Sequence, residues 1–541
     1  MRKLSSVLAL ALALCMLCSC AFANEQKYDE PVTVHFVRST DDTLDANYFS
    51  QHPDKTMTDN LWCDLYRDEL NIIVEYDWIV KGGEEYDTKI AAELAIGDIP
   101  EFVNVTALQV KQLYEAGLIM PLEDIYEEYA TEQTKSVMLE TGTSPFDAVT
   151  FDGHLYALPV VGETLMIADL MWIRTDWLEK LNLEVPTTWD ELVTVAKAFC
   201  AADFDGNGVD DTIGIAIQKD FWSQMFTMKG LFNAFDSYPN IWVENDSGEL
   251  VYGATLPGTK DALAALHQMY VDGLIDPEFG VKTGGKVAEA TTAGKCGIAF
   301  GAQWNSIYPL QDSWNLGKDE GCQWQAFPIP TATDHKAKAM TDVGTTSWTV
   351  VRKDVEHPEA VVKMYNLFID KCWGPENENG VYYAPLDSES IWKLSPVTPT
   401  KPDKNLNAFL DLEAGRQSGD MSGVTGEGYS ILQKLQAFES GTEAGFALWG
   451  WERIYGSGGA YGVLNYYKEN NLTQDQMFVG AATETMTYMM STLDDLRDEA
   501  FVKIILGEEP VDSYDTFVEN WMAMGGEQIT AEVNEWYASV K

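Results

Sequence analysis

Residues 186–217 read PTTWDELVTVAKAFCAADFDGNGVDDTIGIAI, and this stretch decides how the rest of the chain is interpreted. Its first half predicts a helix, because Thr187 or Thr188 can cap the N-terminus and Glu191 stands at the acidic position of a capping box. Four apolar residues recur at helical spacing along one face of this helix: Leu192, Val195, Ala196 and Phe199.

The second half, residues 203–211, carries oxygen-bearing side chains at alternate positions. Calcium takes about six to eight oxygen ligands, so this loop predicts a structural calcium site. The match to an EF-hand is partial, since Gly214 replaces the final bidentate acid and residues 213–217 predict a strand. The alternative is a solvated acidic turn. The expected ligands are the side chains of Asp203, Asp205, Asn207 and Asp211 and the backbone carbonyl of Val209.

A Pro-x-Thr-Trp-Asp-Glu-Leu helix followed by such a loop resembles the extracellular solute-binding proteins of ABC importers, especially their oligosaccharide- and alginate-binding branch. The resemblance implies an α/β, two-lobed, hinge-linked fold of type II with a helical C-terminal region. Lobes of this kind close on their ligand by hinge bending. In that branch an acid often follows the last aspartate of the loop and helps to bind the metal. Thr212 stands at that position here and becomes a further candidate ligand.

The charge of the chain excludes two classes of partner. Its 85 acidic residues outnumber 36 basic ones, which gives a formal net charge of -49. The resulting field repels nucleic acid and anionic lipid. With 541 residues, 46% of them hydrophobic, the chain is long enough for two or more packed domains. We expect a monomeric protein.

The N-terminus predicts export. Residues 1–23 have a basic start followed by an apolar core, as in a secretion signal. Residues 17–20, Leu-Cys-Ser-Cys, resemble a bacterial lipobox, which implies cleavage before Cys20 and a lipid on its sulfur. The mature protein would then lie outside the cytoplasm at the cell surface, held to the membrane by lipid. A cut after Ala23 is the alternative and would release a free protein.

Five further cysteines are scattered through the mature chain. None forms a Cys-x-x-Cys pair, which argues against zinc and against a disulfide framework. We expect buried free thiols at Cys63, Cys200, Cys296, Cys322 and Cys372.

Strands and helices alternate in the N-terminal region, which predicts a parallel sheet with right-handed crossovers. Ligands bind at the carboxyl ends of such strands, so the loops after Val37 and Val105 are candidate walls of a site. The expected strands cover residues 32–37, 72–76 and 102–105, and the expected helices cover residues 61–70, 86–95 and 107–116.

The family resemblance also divides the chain. Residues 1–19 would be the signal peptide and residues 20–31 the lipidated tether. Lobe one would comprise residues 32–157 and 293–345, and lobe two residues 158–292 and 346–541. These boundaries come from four segments that resemble connections of the fold: 153–159, 171–181, 294–303 and 345–351. Residues 371–462 are the least family-like part, and we expect a ligand-specific loop there.

Aromatic residues make up 12% of the chain, and 17 of them are tryptophan. Sugars stack their apolar C–H faces on such rings. Arg38, at the end of the first strand, can hold a hydroxyl pair or a carboxylate bidentately, or else form a surface ion pair. The other candidates for ligand contact, each with packing as the alternative, are Trp222, Trp304, Trp348, Trp449, Trp451, Arg453 and Tyr455.

No catalytic motif accompanies these residues. The six histidines are isolated, and no Gly-x-Ser-x-Gly sequence is present. Residues 280–286 fit Gly-x-x-x-x-Gly-Lys, but Val287 replaces the Ser or Thr that binds magnesium. By resemblance we expect a non-catalytic receptor that binds a carbohydrate and delivers it to ABC permease subunits. The alternative is a secreted glycan-degrading hydrolase or lyase, which needs only a suitable pair of carboxylates.

Overall fold

The protein is described by a computed structural model. It divides into two compact units, and each unit is made of two chain segments. Unit 1 is Met1–Gly162 with Thr345–Pro402, and unit 2 is Glu163–Gly344 with Asp403–Lys541. The chain passes between the units at three connections, which follow Gly162, Gly344 and Pro402. The described residues are 26–40, 44–82, 84–141, 144–202, 204, 206, 208–209, 211–341, 343–375, 378–383, 385 and 391–540.

Fourteen strands occur in the described residues. In chain order they are β1 Val32–Thr40, β2 Ile72–Lys81, β3 Phe102–Val105, β4 Thr150–Phe151, β5 His154–Leu155, β6 Ala157–Pro159, β7 Leu170–Arg174, β8 Trp242–Glu244, β9 Leu250–Tyr252, β10 Ile298–Gly301, β11 Trp324–Phe327, β12 Ala339–Thr341, β13 Trp348–Val351 and β14 Thr473–Asp475.

The α-helices are grouped here by the unit in which they lie. Those of unit 1 are Leu61–Leu70, Glu84–Ile96, Ala107–Glu115, Glu123–Tyr129, Glu132–Met138, Ser144–Asp147, Ala360–Trp373 and Asn379–Tyr382. Those of unit 2 are Thr175–Leu181, Trp189–Cys200, Lys229–Asn233, Pro257–Val271, Gly284–Thr292, Leu310–Gly317, Lys404–Ser418, Gly426–Glu439, Glu443–Phe446, Trp449–Tyr455, Ala460–Glu469, Glu484–Leu506, Ser513–Trp521 and Glu527–Val540.

Unit 1 is built on a five-stranded sheet in the order β2-β1-β3-β13-β6. Strand β1 runs parallel to β2 and β3, which confirms the predicted parallel core. The sheet is nevertheless mixed, because β13 is antiparallel to both β3 and β6. Val34 and Phe36 of β1 are buried, and the Phe36 ring stacks on that of Phe102 at 5.0 Å. The core of unit 1 therefore forms around its central strands.

Unit 2 contains a three-stranded antiparallel sheet in the order β10-β7-β11, and all five residues of β7 are buried. The predicted helix after Pro186 is confirmed as Trp189–Cys200. Thr188 and Glu191 form the expected capping box. Since the four apolar residues of its predicted face are all buried, this helix packs into the unit 2 core.

The units differ from the lobes expected from the sequence. Residues 294–303 were expected to return the chain to lobe one, but β10 pairs with β7 inside unit 2. Residues 345–351 were expected to leave lobe one, but β13 pairs with β3 inside unit 1. Strand pairing therefore assigns residues 345–402 to unit 1 and residues 293–344 to unit 2.

The five cysteines in the described part of the chain are free thiols, as expected. Cys63, Cys296, Cys322 and Cys372 are buried, and Cys200 is half-buried. Burial raises the pKa of Cys63 to about 11 and that of Cys296 to about 12. In the part of the chain that the structure describes, no helix is long and apolar enough to cross a membrane.

Candidate functional site

A cavity of about 430 Å³ opens at the carboxyl ends of β1 and β3, within unit 1. Strand β13 runs antiparallel to β3, and Trp348 at its start pairs with Val105 at the end of β3. Ser347, which precedes Trp348, therefore lies at the same edge of the sheet as the carboxyl end of β3. The sequence argument from parallel strands points to the same edge of the sheet as this cavity. The lining combines hydroxyl, amide and aromatic groups, among them Ser39, Tyr86, Asn104, Ser347, Trp392 and Ser395.

Arg38 also lines this cavity, but its guanidinium is engaged by neighbouring protein groups. Its Nε donates to the carbonyl of Ser39 at 3.2 Å. Its Nη1 donates to the Tyr76 hydroxyl and to the Leu394 carbonyl, both at 3.2 Å, and its Nη2 donates to the Lys393 carbonyl. In this structure Arg38 fixes the segment that ends the cavity wall, and its described partners are carbonyls and a phenol.

Asn104 is held in one orientation at the same edge. The Thr349 hydroxyl donates to its amide oxygen at 2.6 Å, and the Tyr86 hydroxyl donates to its backbone carbonyl at 3.1 Å. Burial raises the pKa of Tyr86 well above its ordinary value, so this phenol stays protonated at neutral pH. Asn104 and Tyr86 thus present neutral polar groups that these hydrogen bonds hold in place.

Trp392 is an aromatic residue of the cavity that sequence reasoning missed. It is half-buried, and its ring stacks on Tyr383 at 5.8 Å with an interplanar angle of 16°. The Lys393 ammonium lies 5.8 Å from the Trp392 ring centroid. The available signal was its position inside residues 371–462, the stretch expected to hold a ligand-specific loop. Tyr86 and Asn104 were missed as well, although Asn104 is the third residue of a four-residue strand whose end was singled out.

In unit 2, the structure brings the predicted Trp304 next to the predicted residues 449–455. Trp304 lies on a short turn after β10, and its indole Nε1 donates to Gln224 Oε1 at 2.9 Å. The Ser306 hydroxyl donates to the carbonyl of Gly450 at 2.9 Å. A Cβ at Gly450 would come within 2.7 Å of the Ser306 carbonyl oxygen, so glycine permits this close approach. Trp304 itself is half-buried.

The residues of the 449–455 helix have different surroundings. Trp449 is fully buried and stacks on Trp314 at 5.5 Å, which is the packing alternative left open above. Trp451 is half-buried and stacks on Tyr455 at 5.9 Å. Arg453 forms an ion pair with its neighbour Glu452. Only part of this predicted group is therefore accessible.

Trp222 and Trp348 lie elsewhere. The Trp222 indole donates to Asp498 at 2.8 Å, and the Arg497 guanidinium lies 5.0 Å from its ring centroid. Trp348 is 5% exposed, and its indole donates to the Pro145 carbonyl at 2.7 Å. Both rings serve packing in this structure, and the local sequence does not distinguish them from Trp304.

A buried carboxyl group at the start of unit 2 had no sequence signal. Glu163 is 4% exposed, and its Oε2 accepts from the Asn405 amide at 2.9 Å. The Tyr461 hydroxyl donates to it at 3.3 Å, and the Tyr455 hydroxyl donates to Asn405 at 3.0 Å. Burial raises the pKa of Glu163 to about 7, although the nearby Lys404 ammonium opposes that shift. Glu163 follows the first connection between the units, and its partner Asn405 lies just after the third connection. Their hydrogen bond therefore links these two parts of unit 2.

The expected calcium loop is described only in part. Asp203, Asp205 and Asn207 lie outside the described residues. Two glycines of the loop, Gly206 and Gly208, adopt φ values of +68° and +74° in open space, as the tight turns require. In the described part of the chain, no three His, Cys, Asp or Glu residues form a group suited to a metal.

The other expected ligands of this loop are described. Val209 is 58% exposed, and its carbonyl accepts a hydrogen bond from the Asp211 backbone N–H at 3.0 Å, whereas Thr212 is buried. Asp211 accepts a hydrogen bond from the Lys295 ammonium. Residues 213–217, expected as a strand, form single bridges such as Ile215 to Ile275. Lys295 therefore already pairs with one of the expected ligands of this loop.

These observations define a class of protein: an α/β fold with mixed sheets that matches solved structures of two-lobed solute-binding proteins. Residues 61–371 match the family model of the bacterial extracellular solute-binding protein. The chain belongs to this family. The family is non-catalytic, so the chain is a binding protein and not the glycan-degrading enzyme considered as the alternative.

Two curated relatives from Bacillus subtilis (strain 168) align over most of the chain. The polygalacturonan/rhamnogalacturonan-binding protein YtcQ is 23% identical over 480 residues, which is 87% of this chain and 86% of YtcQ. Lipoprotein LipO is 25% identical over 468 residues, which is 84% of this chain and 85% of LipO.

A solved structure shares the fold. It is the S. pneumoniae ABC-transporter substrate-binding protein FusA, as an EF-hand mutant in complex with fructo-nystose. The TM-score is 0.63 at 16% identity, and the match covers 94% of this chain and 99% of FusA.

Proposed function

We propose that this protein is the carbohydrate receptor of an ABC importer, which binds an oligosaccharide outside the cytoplasm and delivers it to permease subunits. The cavity at the carboxyl edge of the unit 1 sheet carries the proposal. Its volume of about 430 Å³ suits a small ligand. The rings of Tyr86 and Trp392 offer stacking surfaces for sugar C–H faces, and Asn104 offers a fixed amide for hydroxyl groups.

Relatives support the same function. YtcQ is named for binding polygalacturonan and rhamnogalacturonan, and it aligns with most of this chain. FusA, whose fold this chain shares, is an ABC-transporter substrate-binding protein that holds fructo-nystose in its solved structure. All three named ligands are carbohydrates, and both proteins are named for binding.

The receptor is tethered to the membrane through a lipid on Cys20. The Leu-Cys-Ser-Cys sequence at residues 17–20 supports this, as does the alignment with LipO, which is named a lipoprotein. A Cys20→Ser variant expressed in bacteria should move from the membrane fraction to the medium or the periplasm. Release of the wild type into the same soluble fraction would favour cleavage after Ala23.

The loop at residues 203–211 binds a structural calcium ion through Asp203, Asp205, Asn207, Val209 and Asp211, with Thr212 next to the last of them. The left-handed glycines of the loop support this assignment. The solved FusA structure is described as an EF-hand mutant, so a protein with this fold carries a comparable loop. The bound ion neutralises the crowded carboxylates and so stabilises unit 2.

A ligand screen followed by one substitution tests the receptor function. A ligand at 100 times its Kd stabilises a protein by about 2.7 kcal/mol, so a thermal-shift screen against neutral and acidic glycans should find at least one hit. Trp392→Ala should weaken that ligand by about 1–3 kcal/mol in calorimetry, by analogy with base stacking on aromatic rings.

Trp536→Ala is the matched control, since Trp536 is a half-buried tryptophan of unit 2 that packs against Phe478. It should leave the affinity unchanged. Failure of every glycan to bind would contradict the proposed function. Equal affinities of wild type and Trp392→Ala would move the binding site away from this cavity.

A further inference from the structure

We propose that unit 2 carries a second binding site, which takes a small aromatic carboxylate of about the size of cinnamate. The site is a cavity of about 320 Å³ lined by residues from three segments, 185–187, 327–337 and 466–472, and we call it the unit 2 cavity. All three segments belong to unit 2 and lie within the described residues. The inference does not rest on the proposed carbohydrate receptor function.

The walls of the unit 2 cavity are fixed by hydrogen bonds. The Thr331 N–H donates to the Thr187 carbonyl at 3.0 Å, and the Trp189 N–H donates to the Thr331 carbonyl at 2.8 Å. The Ile329 N–H donates to the Tyr467 hydroxyl, also at 2.8 Å. The segment after β11 is thus tied both to the capped helix that begins at Trp189 and to the helix that carries Tyr467. Because its walls are held in this way, the cavity is formed before a ligand arrives.

The lining of this cavity is mainly apolar and rich in rings. The ring-bearing residues are Pro186, Phe327, Pro328, Tyr466 and Tyr467. Phe327, Pro328 and Tyr466 are half-buried, so the protein leaves part of each ring uncovered. An apolar cavity of about 150 Å³ binds benzene, so a volume of about 320 Å³ suits one aromatic ring with a short side chain. A polyol would lose hydrogen bonds to water that an apolar lining does not replace.

The lining also carries a positive charge. Lys336 is its basic residue, and the lining contains no Asp or Glu. The Lys336 ammonium lies 4.9 Å from the Tyr466 ring centroid and donates to the hydroxyl of that residue. Within the described parts of the chain, this phenol is its hydrogen-bond partner, and no ion pair joins Lys336 to a carboxylate. In a chain with a formal net charge of -49, such a lysine beside an apolar cavity favours an anionic ligand.

Three nearby acids have partners of their own. Asp334 and Asp236 each bind the His335 ring at 3.1 Å, and these hydrogen bonds raise the pKa of His335. Glu191 accepts from two backbone N–H groups as the capping acid of its helix. A ligand carboxylate can therefore take the place of the neutral phenol as acceptor for Lys336. The exchange strengthens the hydrogen bond, because an ionised acceptor binds an ammonium more strongly than a neutral one.

Three small probes test the inference by calorimetry on the full mature chain. Cinnamate supplies both the ring and the charge, cinnamamide the ring alone and acetate the charge alone. Cinnamate should bind at one site per chain with a Kd below about 1 mM. Cinnamamide should bind about 10-fold more weakly, because it lacks the charge-assisted hydrogen bond, and acetate should show no saturable binding. Equal affinities of cinnamate and cinnamamide, or saturable binding of acetate, would overturn the inference.

Variants of the lining locate the bound probe. Lys336→Met keeps an apolar side chain but removes the charge, so it should weaken cinnamate about 10-fold and leave cinnamamide unchanged. Lys338→Met is the matched control, because Lys338 is a half-buried lysine two residues away that does not line the cavity. Val185→Trp fills the cavity and should abolish binding of both ring compounds, with thermal melting as the check that it folds. Wild-type affinity of Lys336→Met for cinnamate would overturn the assignment of the cation.

The two cavities are separated by one further variant. Trp392→Ala, in the unit 1 cavity, should bind cinnamate as the wild type does. Loss of cinnamate binding in that variant would place the probe in unit 1 and overturn the inference. If the wild type bound no cinnamate, the unit 2 site would fail while the glycan screen still decided the receptor function. If cinnamate bound and no glycan did, the receptor function would fail and the unit 2 site would stand.

Discussion

Arg38 in unit 1 and Glu163 in unit 2 are ionisable side chains of opposite type, and each holds a distant chain segment by hydrogen bonds. Each is a charged side chain that fixes chain segments near the third connection, between Pro402 and Asp403. Arg38 donates to carbonyls of residues 393–395, before that connection. Glu163 accepts from Asn405, after it. Both groups replace water with protein partners, but they respond differently to the solution.

The difference lies in ionisation. A guanidinium keeps its charge at any physiological pH, so the clamp made by Arg38 is constant. The Glu163 carboxyl has a pKa of about 7, because burial outweighs the hydrogen bonds from Asn405 and Tyr461 and the nearby Lys404 ammonium. Unit 1 therefore holds its segment independently of pH, whereas the strength of the corresponding contact in unit 2 changes near neutrality.

Removing the clamp in unit 1 should have the largest effect. Arg38→Ala leaves the carbonyls of Lys393 and Leu394 without their donor, and we expect unit 1 to lose about 3 kcal/mol of stability. Urea unfolding gives the total, and amide hydrogen exchange assigns the loss to residues of unit 1. Arg38→Lys is the control for charge alone. It should resemble the alanine variant, since one ammonium cannot match the planar fork. If Arg38→Lys were as stable as wild type, the positive charge and not the hydrogen bonds of the guanidinium would account for the stabilisation.

Calcium should act on the other unit. With calcium at 100 times its Kd, the proposed site adds about 2.7 kcal/mol, and a chelator should remove that stability. Asp205→Ala should lose stability in calcium and change little in chelator, because it also relieves repulsion among the loop acids. Hydrogen exchange should become faster in unit 2 while unit 1 is unchanged.

Asp246→Ala is the control for the calcium experiment, because Asp246 is an exposed acid in a different turn of unit 2. It should melt as wild type in both conditions. Identical melting of the wild type in calcium and in chelator would reduce the loop to an acidic turn.

The titration of Glu163 should give the next largest effect. Its carboxyl has an ordinary pKa of 4.5, and in the folded protein the pKa is about 7, so the folded state holds the proton more tightly between these values. The stabilising contribution is complete below about pH 4.5 and is lost as the pH rises through 7. We expect this loss to be of order 1–3 kcal/mol.

Glu163→Gln keeps a neutral side chain at every pH and should remove this part of the pH dependence. Exposed Glu519→Gln is the control and should retain the wild-type profile. Urea unfolding of the three proteins from pH 5 to 8 measures the slope. Parallel curves for wild type and Glu163→Gln would show that the carboxyl is already ionised at pH 5.

The smallest effect should come from Tyr461→Phe. The Tyr461 hydroxyl donates to Glu163 at 3.3 Å, and this hydrogen bond favours the ionised carboxyl. Its removal should raise the pKa of Glu163 further and cost less than about 1 kcal/mol of stability. The steep part of the unfolding curve should therefore move to higher pH. A shift to lower pH would contradict the proposed hydrogen-bond direction.

Local sequence determined the features that depend on neighbouring residues. The capping box of helix Trp189–Cys200 and the first three strands of unit 1 follow from periodicity and caps. The position of the cavity follows from the parallel strands, since their carboxyl ends share an edge. The assignment of β10 and β13 to units did not follow, because a strand's pairing partner is set by distant residues.

The environment of individual side chains could not be predicted from the sequence either. Trp449 and Trp392 each follow a branched aliphatic residue, Leu448 and Ile391, yet Trp449 is fully buried and Trp392 lines a cavity. Glu163 is one acid among 85 acidic residues, and only its surroundings raise its pKa. Three of the expected calcium ligands, Asp203, Asp205 and Asn207, lie outside the described residues, so that expectation stays a prediction.

The clamp made by Arg38 also bears on how such a receptor changes its specificity. The hydrogen bonds that Arg38 donates to residues 393–395 go to backbone oxygens, and every amino acid carries one. Substitutions at Trp392 or Lys393 therefore alter the surface offered to the ligand while the hydrogen bonds from Arg38 stay in place. Because the segment is held through its main chain, its side chains can be exchanged. Directed evolution for new sugars should therefore begin at Trp392 and Lys393 and leave Arg38 unchanged.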